Sequence, residues 1–365
     1  MARGIAPTLI ITGQHPALQL RDHGLSDCPT VCLDCPGEQD PDAHARRVAA
    51  AISPLLRNAP DLLVVQGDTS SAFGSALAAF SVGAAVAHVE AGLRTHDPAL
   101  PWPEEGYRLA IDAHADLLFA PTAIAATNLR LEGVPGAIHV TGNTGIDALL
   151  EVQKHLPPWM PRKSSVKMLL VTCHRREIWG AGMKSIATAL IELAQRPDVR
   201  IAVIQPPNQH VSQRMTRLLG EQDRIALIPP SGHRELVARV RHADLVLSDS
   251  GGIQEEAPAL GTPLLVLREK TERPEGIFTG NVRLVGTSTD SIVRAAVRLL
   301  DDPTELARMS RPSFPYGDGR AGQRIAGIID AWLIKTEKAA AQPSCDVPKW
   351  RKQFPLTGTL FNFRI

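Results

Sequence analysis

Short apolar runs recur along this chain, each followed by a stretch whose apolar positions repeat at the helical period. Runs too short for a helix and bounded by turn residues predict buried strands, and their alternation with helical stretches predicts βα units around parallel sheets. In the first half the pattern predicts strands at 8–12, 61–66, 84–89, 117–120 and 138–140, with helices at 41–57 and 70–82. Residues 156–165, LPPWMPRKSS, can extend neither a helix nor a central strand and are predicted to be a linker. A second series follows, with strands at 168–172, 200–204, 225–228, 245–248 and 263–267 and helices at 183–195, 236–242 and 291–300. A final helix near 319–338 is long enough to pack back on the first half.

The expected fold class is therefore α/β, with two Rossmann-like domains facing a cleft. Residues 1–155 with 320–338 form the first domain and residues 164–318 the second; 339–365 is a tail expected to be poorly ordered, although Trp350, Phe354, Phe361 and Phe363 give it docking potential. A length of 365 residues and a hydrophobic content of 44% suit two full cores.

Charge narrows the partners. Lys and Arg total 39 against 38 Asp and Glu, a net +1, so no whole-protein field draws nucleic acid or an anionic membrane. The apolar stretch 72–89 carries Gly, Ser and His and is expected to be a buried helix and strand, not a membrane span. No secretory signal is evident, and cytoplasm is the default compartment. Cys28, Cys32 and Cys35 have a CxxxCxxC spacing that could hold an iron–sulfur cluster, but nothing else supports radical chemistry, and chance thiols are expected. No HxH, HExxH or paired CxxC pattern calls for a metal, and no GxGxxG follows the first strand to call for NAD; no cofactor is expected.

Polar clusters stand at or just after the predicted strand ends, where open α/β sheets bind ligands. Asp249-Ser250-Gly251-Gly252 opens a helix, and a Gly pair there lets backbone N–H groups approach phosphate oxygens. Glu256, one turn along, suits ribose hydroxyls. Arg273 suits a phosphate clamp through its planar fork, or else a surface ion pair with Glu272 or Glu275. Asp68, Glu90, Glu104, Glu105 and His174 supply the acids and imidazole that proton transfer at carbon or at a leaving oxygen requires. Each alone could equally be a solvated surface group, and His88 reads as a structural histidine at a strand end.

The strings GDTSSAFGSALAAF, HVEAGLRT, PWPEE, TGNTGIDAL, VTCHRRE, SDSGGIQEEAPALGTPLLVLREKTERPE, NVRLVG and YGDG resemble the non-hydrolysing UDP-N-acetylglucosamine 2-epimerase family, in family order over about residues 12–330. The resemblance implies a two-domain fold of the GT-B type, a homodimer, and interconversion of UDP-GlcNAc and UDP-ManNAc without NAD or metal. It implies Asp68, Glu90 and Glu104 as acid/base carboxylates with His174 assisting at the diphosphate. Ser250, Gly251, Gly252, Glu256 and Arg273 would hold UDP. A relative that hydrolyses its substrate, and a catalytically weak nucleotide-sugar-binding paralogue, are the alternatives. Family members open with a strand and a G-T-R-P-E-x-x-K loop that find no match here, so the first domain is expected to lack its first strand. Pro16 stands where the family has Arg, and Ser231 and Leu236 where Gln and Phe flank the uracil.

Overall fold

In the computed structural model every strand pair among the described residues is parallel, as the alternation predicts. The structure describes residues 5–15, 20, 25–57, 60–158, 165–175 and 178–340. Contacts divide the chain into two units, Met1–Thr141 with Gly322–Ile365, and Gly142–Ala321. Residues 341–365 of the expected tail, with its aromatic residues, and Pro16, Arg176 and Glu177 lie outside the described residues, as does most of the expected linker.

The first unit runs β1 (Leu9–Ile11), β2 (Thr30–Cys32), α1 (Pro41–Leu56), β3 (Leu63–Gln66), α2 (Ser70–Val82), β4 (Val86–Val89), α3 (Glu104–Asp112), β5 (Leu117–Ala120), α4 (Ala123–Glu132) and β6 (Ala137–Val140). Its strands form two ladders, β1-β2 and β3-β4-β5-β6. No ladder joins β1 to β3 among the described residues. One apolar cluster nonetheless spans the break, uniting Ile10 and Leu33 with Val65, Val86 and the packed faces of α1 and α2. Local chemistry sets the helix starts: Asp40 caps α1 ahead of Pro41, and Thr69 caps α2 by accepting from the Ala72 N–H.

The second unit runs α5 (Thr144–Lys154), β7 (Lys167–Thr172), α6 (Ala181–Leu193), β8 (Val199–Ile204), α7 (Gln209–Leu219), β9 (Ile225–Ile228), α8 (His233–His242), β10 (Leu245–Ser248), α9 (Gly251–Leu260), β11 (Leu264–Val266), α10 (Glu275–Phe278), β12 (Val282–Leu284), α11 (Thr289–Asp301) and α12 (Pro303–Met309). Its single sheet has the doubly wound order β12-β11-β10-β7-β8-β9, with an apolar cluster on each face. Helix α5 had been expected with the first domain. Instead Ile146 and Leu149 bury against Val237 of α8, Ala259 of α9 and Tyr316, so α5 falls in the second unit. The last helix, α13 (Ala321–Ala340), covers the other face of the first sheet, where Ile325, Ile328 and Trp332 meet Ala87, Val89 and Phe119.

The strands β2 and β12 were not read from the sequence. Each is three residues long, too short to show a period.

Candidate active site

In the first unit the acidic candidates gather at the carboxyl ends of β3 and β4. Asp68 follows Gly67 just beyond β3, and Glu90 follows β4 directly. Gly67 has φ +68, and a Cβ placed there would lie 3.3 Å from Glu90 Oε2, so glycine both permits the turn and leaves room for the carboxylate. Glu90 itself holds φ 70, in the left-handed region. For a residue with a side chain that conformation costs about 1–3 kcal/mol and persists where the surroundings enforce it, often at functional sites. Here the enforcing bonds run from the Glu90 and Ala91 N–H groups to the Phe119 carbonyl and from the Gly67 N–H to that of Val89.

Glu104 begins α3, at the helix end that favours negative charge. The same helix carries Arg108, whose fully buried guanidinium places Nε 3.6 Å from Asp68 Oδ2 and so ties α3 to the end of β3. Glu105, grouped with these acids from the sequence, has a different task. It is buried, accepts from the Thr95 and His96 N–H groups at 3.0 Å each, and pairs with Arg108 at 2.9 Å. Its carboxylate braces the loop after β4.

In the second unit β7 and β10 are neighbours, with Thr172 opposite Ser248, and their ends bring His174 beside Asp249. Asp249 is completely buried; one oxygen accepts from the His174 and Arg175 N–H groups at 2.8 and 2.7 Å, and the other lies 3.4 Å from His174 Nδ1. Asp249 thus holds the His174 backbone, and the imidazole beside it is about half exposed. Asp249 went unremarked in the sequence as more than part of a turn.

Ser250 caps α9, leaving the Gly251 and Gly252 N–H groups in the first turn, which has no intrahelical acceptor for them. A Cβ on Gly251 would lie 2.9 Å from Arg273 Nη1, so glycine lets the guanidinium lie against the helix start, while a Cβ on Gly252 would meet only Ser250 Oγ, at 4.0 Å. Arg273 is not a surface residue. It is buried, its Nε donates to Glu255 at 2.6 Å and its Nη1 pairs with Glu272, which also binds Arg268 at 3.0 Å. The Tyr316 hydroxyl donates to the Arg273 carbonyl and accepts from the Gly276 N–H, both at 2.9 Å. Glu256, expected at ribose hydroxyls, bonds His233 Nε2 at 2.8 Å. That bond raises the His233 pKa above its ordinary value against the opposing effect of burial. Among the described residues no group of three or more His, Cys, Asp or Glu side chains is arranged to hold a metal, and Cys35 is a buried free thiol.

Residues 2–330 match the family described as UDP-N-acetylglucosamine 2-epimerase. The chain is 43% identical to the UDP-N-acetylglucosamine 2-epimerase of Salmonella typhimurium over 302 residues, 79% of this chain and 80% of that one. Among solved structures it resembles Staphylococcus aureus MnaA in its UDP co-structure, with TM-score 0.81 and 36% identity over 89% of this chain and 88% of that. It also resembles the Neisseria meningitidis UDP-GlcNAc 2-epimerase bound to UDP-GlcNAc, with TM-score 0.77 and 31% identity over 88% and 99%. No helix among the described residues is long and apolar enough to cross a membrane.

Proposed function

Because the chain belongs to the UDP-N-acetylglucosamine 2-epimerase family, an enzyme family, we propose that it interconverts UDP-GlcNAc and UDP-ManNAc without net hydrolysis. The observation that carries this is the meeting of Asp68 and Glu90 at adjacent strand ends around Gly67. Inversion at C2 needs a proton removed from one face of the sugar and returned to the other, which two carboxylates can divide between them. One takes the C2 proton while the C1–O bond breaks, its electrons leaving with UDP as the C1–C2 double bond forms. The other then returns a proton to C2 from the opposite face, and a UDP oxygen re-forms the bond to C1. Glu104, at the start of α3, is the third acid in this set.

The second unit carries the groups for the nucleotide. Ser250 and the Gly251 and Gly252 N–H groups suit the diphosphate, with Arg273 behind them and Glu256 for the ribose hydroxyls. His174, its backbone held by Asp249, is assigned to the departing diphosphate oxygen.

Incubation with UDP-GlcNAc in deuterated water, followed by NMR, tests this directly. Deuterium at C2 together with UDP-ManNAc is the expected result. Free UDP and ManNAc would establish the hydrolysing alternative, and binding without exchange would leave only a nucleotide-sugar-binding role.

A further inference from the structure

Below Gly67 and Glu90, strand β4 carries a histidine that the proton chemistry has not so far used. His88 has no solvent exposure. Its Nε2 lies 2.9 Å from the Gly67 carbonyl oxygen and its Nδ1 2.6 Å from Asp112 Oδ1. A carbonyl can only accept, so Nε2 carries a proton. In a neutral ring the Nδ1 lone pair would then face a carboxylate oxygen at 2.6 Å, two acceptors with nothing between them. A proton therefore lies on that axis as well.

That proton belongs to the ring, because Asp112 is held as an anion from its other side. Asp112 Oδ2 accepts from Arg94 NH2 at 2.7 Å and from the Gly92 N–H at 3.1 Å. Arg94 in turn forks onto Glu132, with two bonds of 2.7 Å. Burial opposes a charged imidazole, but the charge and hydrogen bond of Asp112, the Gly67 carbonyl and the charge of Asp68 hold its pKa above the ordinary value. The charged groups facing His88 are Asp68 from the end of β3, Asp112 from α3, and Arg94 from the loop after β4; Glu90 ends its own strand, and Arg108 of α3 stands beside Asp68.

We propose that His88 is a positioning residue for the C2 proton transfer: a fixed imidazolium that anchors the Gly67 carbonyl, and through it Asp68 against Glu90. The proposal rests on Asp68 and Glu90 being the acid/base pair. His88 touches no reacting atom. It stands one peptide away from Asp68, and its own proton is held between two acceptors, so it is neither donor nor base in the reaction. The buried Asp112 and Arg94 and the exposed Glu132 complete a row of alternating charge that begins at the site and runs to the end of α4.

The test uses the full chain and the C2 exchange reaction, with the Asp68→Asn, His88→Gln and Asp112→Asn variants. His88→Gln retains an N–H for the Gly67 carbonyl and removes the charge. It should lower kcat about tenfold or more with KM changed by less than about threefold, because a neutral amide holds the Gly67 carbonyl less firmly than the imidazolium does. Asp112→Asn, which loosens the hold on His88, should likewise lower kcat with little change in KM. Exchange surviving in Asp68→Asn overturns the acid/base reading and the proposal with it. Exchange lost in Asp68→Asn, with a folded His88→Gln that retains the native kcat, overturns the positioning role alone. Should His88→Gln not fold, the wild-type chain still decides: ¹⁵N shifts of labelled histidine should report both His88 nitrogens protonated from about pH 6 to 9. A neutral tautomer in that range overturns the proposal.

Discussion

The two units solve one problem with opposite signs. At the ends of β3 and β4 the outward groups are carboxylates, and the layer beneath them has a cationic balance, with His88, Arg94 and Arg108 against the buried Asp112 and Glu105. At the ends of β7, β10 and β11 the groups suited to a ligand are N–H donors, an imidazole and a guanidinium, and the buried layer is anionic, built from Asp249, Glu255 and Glu272. A charge held near a low-dielectric interior needs a partner, so the sign offered to a ligand is fixed by the sign buried behind it. Acids that must move protons are backed by cations; a cradle for an anion is backed by acids that fix its arginine.

The strongest way to break that comparison is to neutralise the acids. Asp68→Asn and Glu90→Gln should each lower C2 exchange by about 10²–10⁴-fold, the range general acid–base groups contribute, while UDP binding measured by calorimetry stays near native. A loss of UDP affinity as large as the loss of exchange would mean that the acids belong to the nucleotide site.

Removing the guanidinium probes the other unit. Arg273→Ala leaves Glu255 and Glu272 buried with a cation missing, and should lower unfolding stability by about 3–5 kcal/mol in urea titrations as well as weakening UDP binding. If stability held and only binding fell, the pairs would not be the backing layer described above. A gentler probe is Gly251→Ala, whose Cβ would meet a guanidinium nitrogen that its carboxylates hold in place. Overpacking of this kind costs about 1–3 kcal/mol, and UDP affinity should fall about tenfold with the exchange chemistry itself unchanged.

The smallest effect belongs to His233. Its folded pKa is raised by Glu256, so its contribution to stability is fully present below the unfolded value of about 6.5 and is lost as pH rises through the folded value. The side chain is 41% exposed, so the gain is modest. The Tm difference between wild type and His233→Ala should be widest below about pH 6 and close at alkaline pH. A gap that widened with pH would reverse the sign of the pair.

Much of this was legible before any coordinates. The strands at 117–120, 225–228 and 245–248 coincide with β5, β9 and β10, because continuous Leu, Val and Ile between turn residues leave few alternatives. The strand ends marked by GDT, HVE and SDSGG hold the candidate residues in the structure, since period and turn chemistry are local. What escaped depended on partners far along the chain. The sequence gives α5 no sign that its apolar face meets α8 and α9, and nothing local distinguishes Glu104 from Glu105, although one braces Thr95 and His96.

By itself, then, the sequence determined which elements form and that they alternate into parallel sheets, because those follow from period, capping and turn residues; the family showed in the resemblance of its motif strings. Only the tertiary structure decided the charge of the layer beneath each site. His88 could pass for a structural histidine and Arg273 for a surface ion pair until Asp112, Gly67, Glu255 and Glu272 came within hydrogen-bond distance. Burial and pairing are properties of residues that meet across the fold, and it is they that fix charge and orientation.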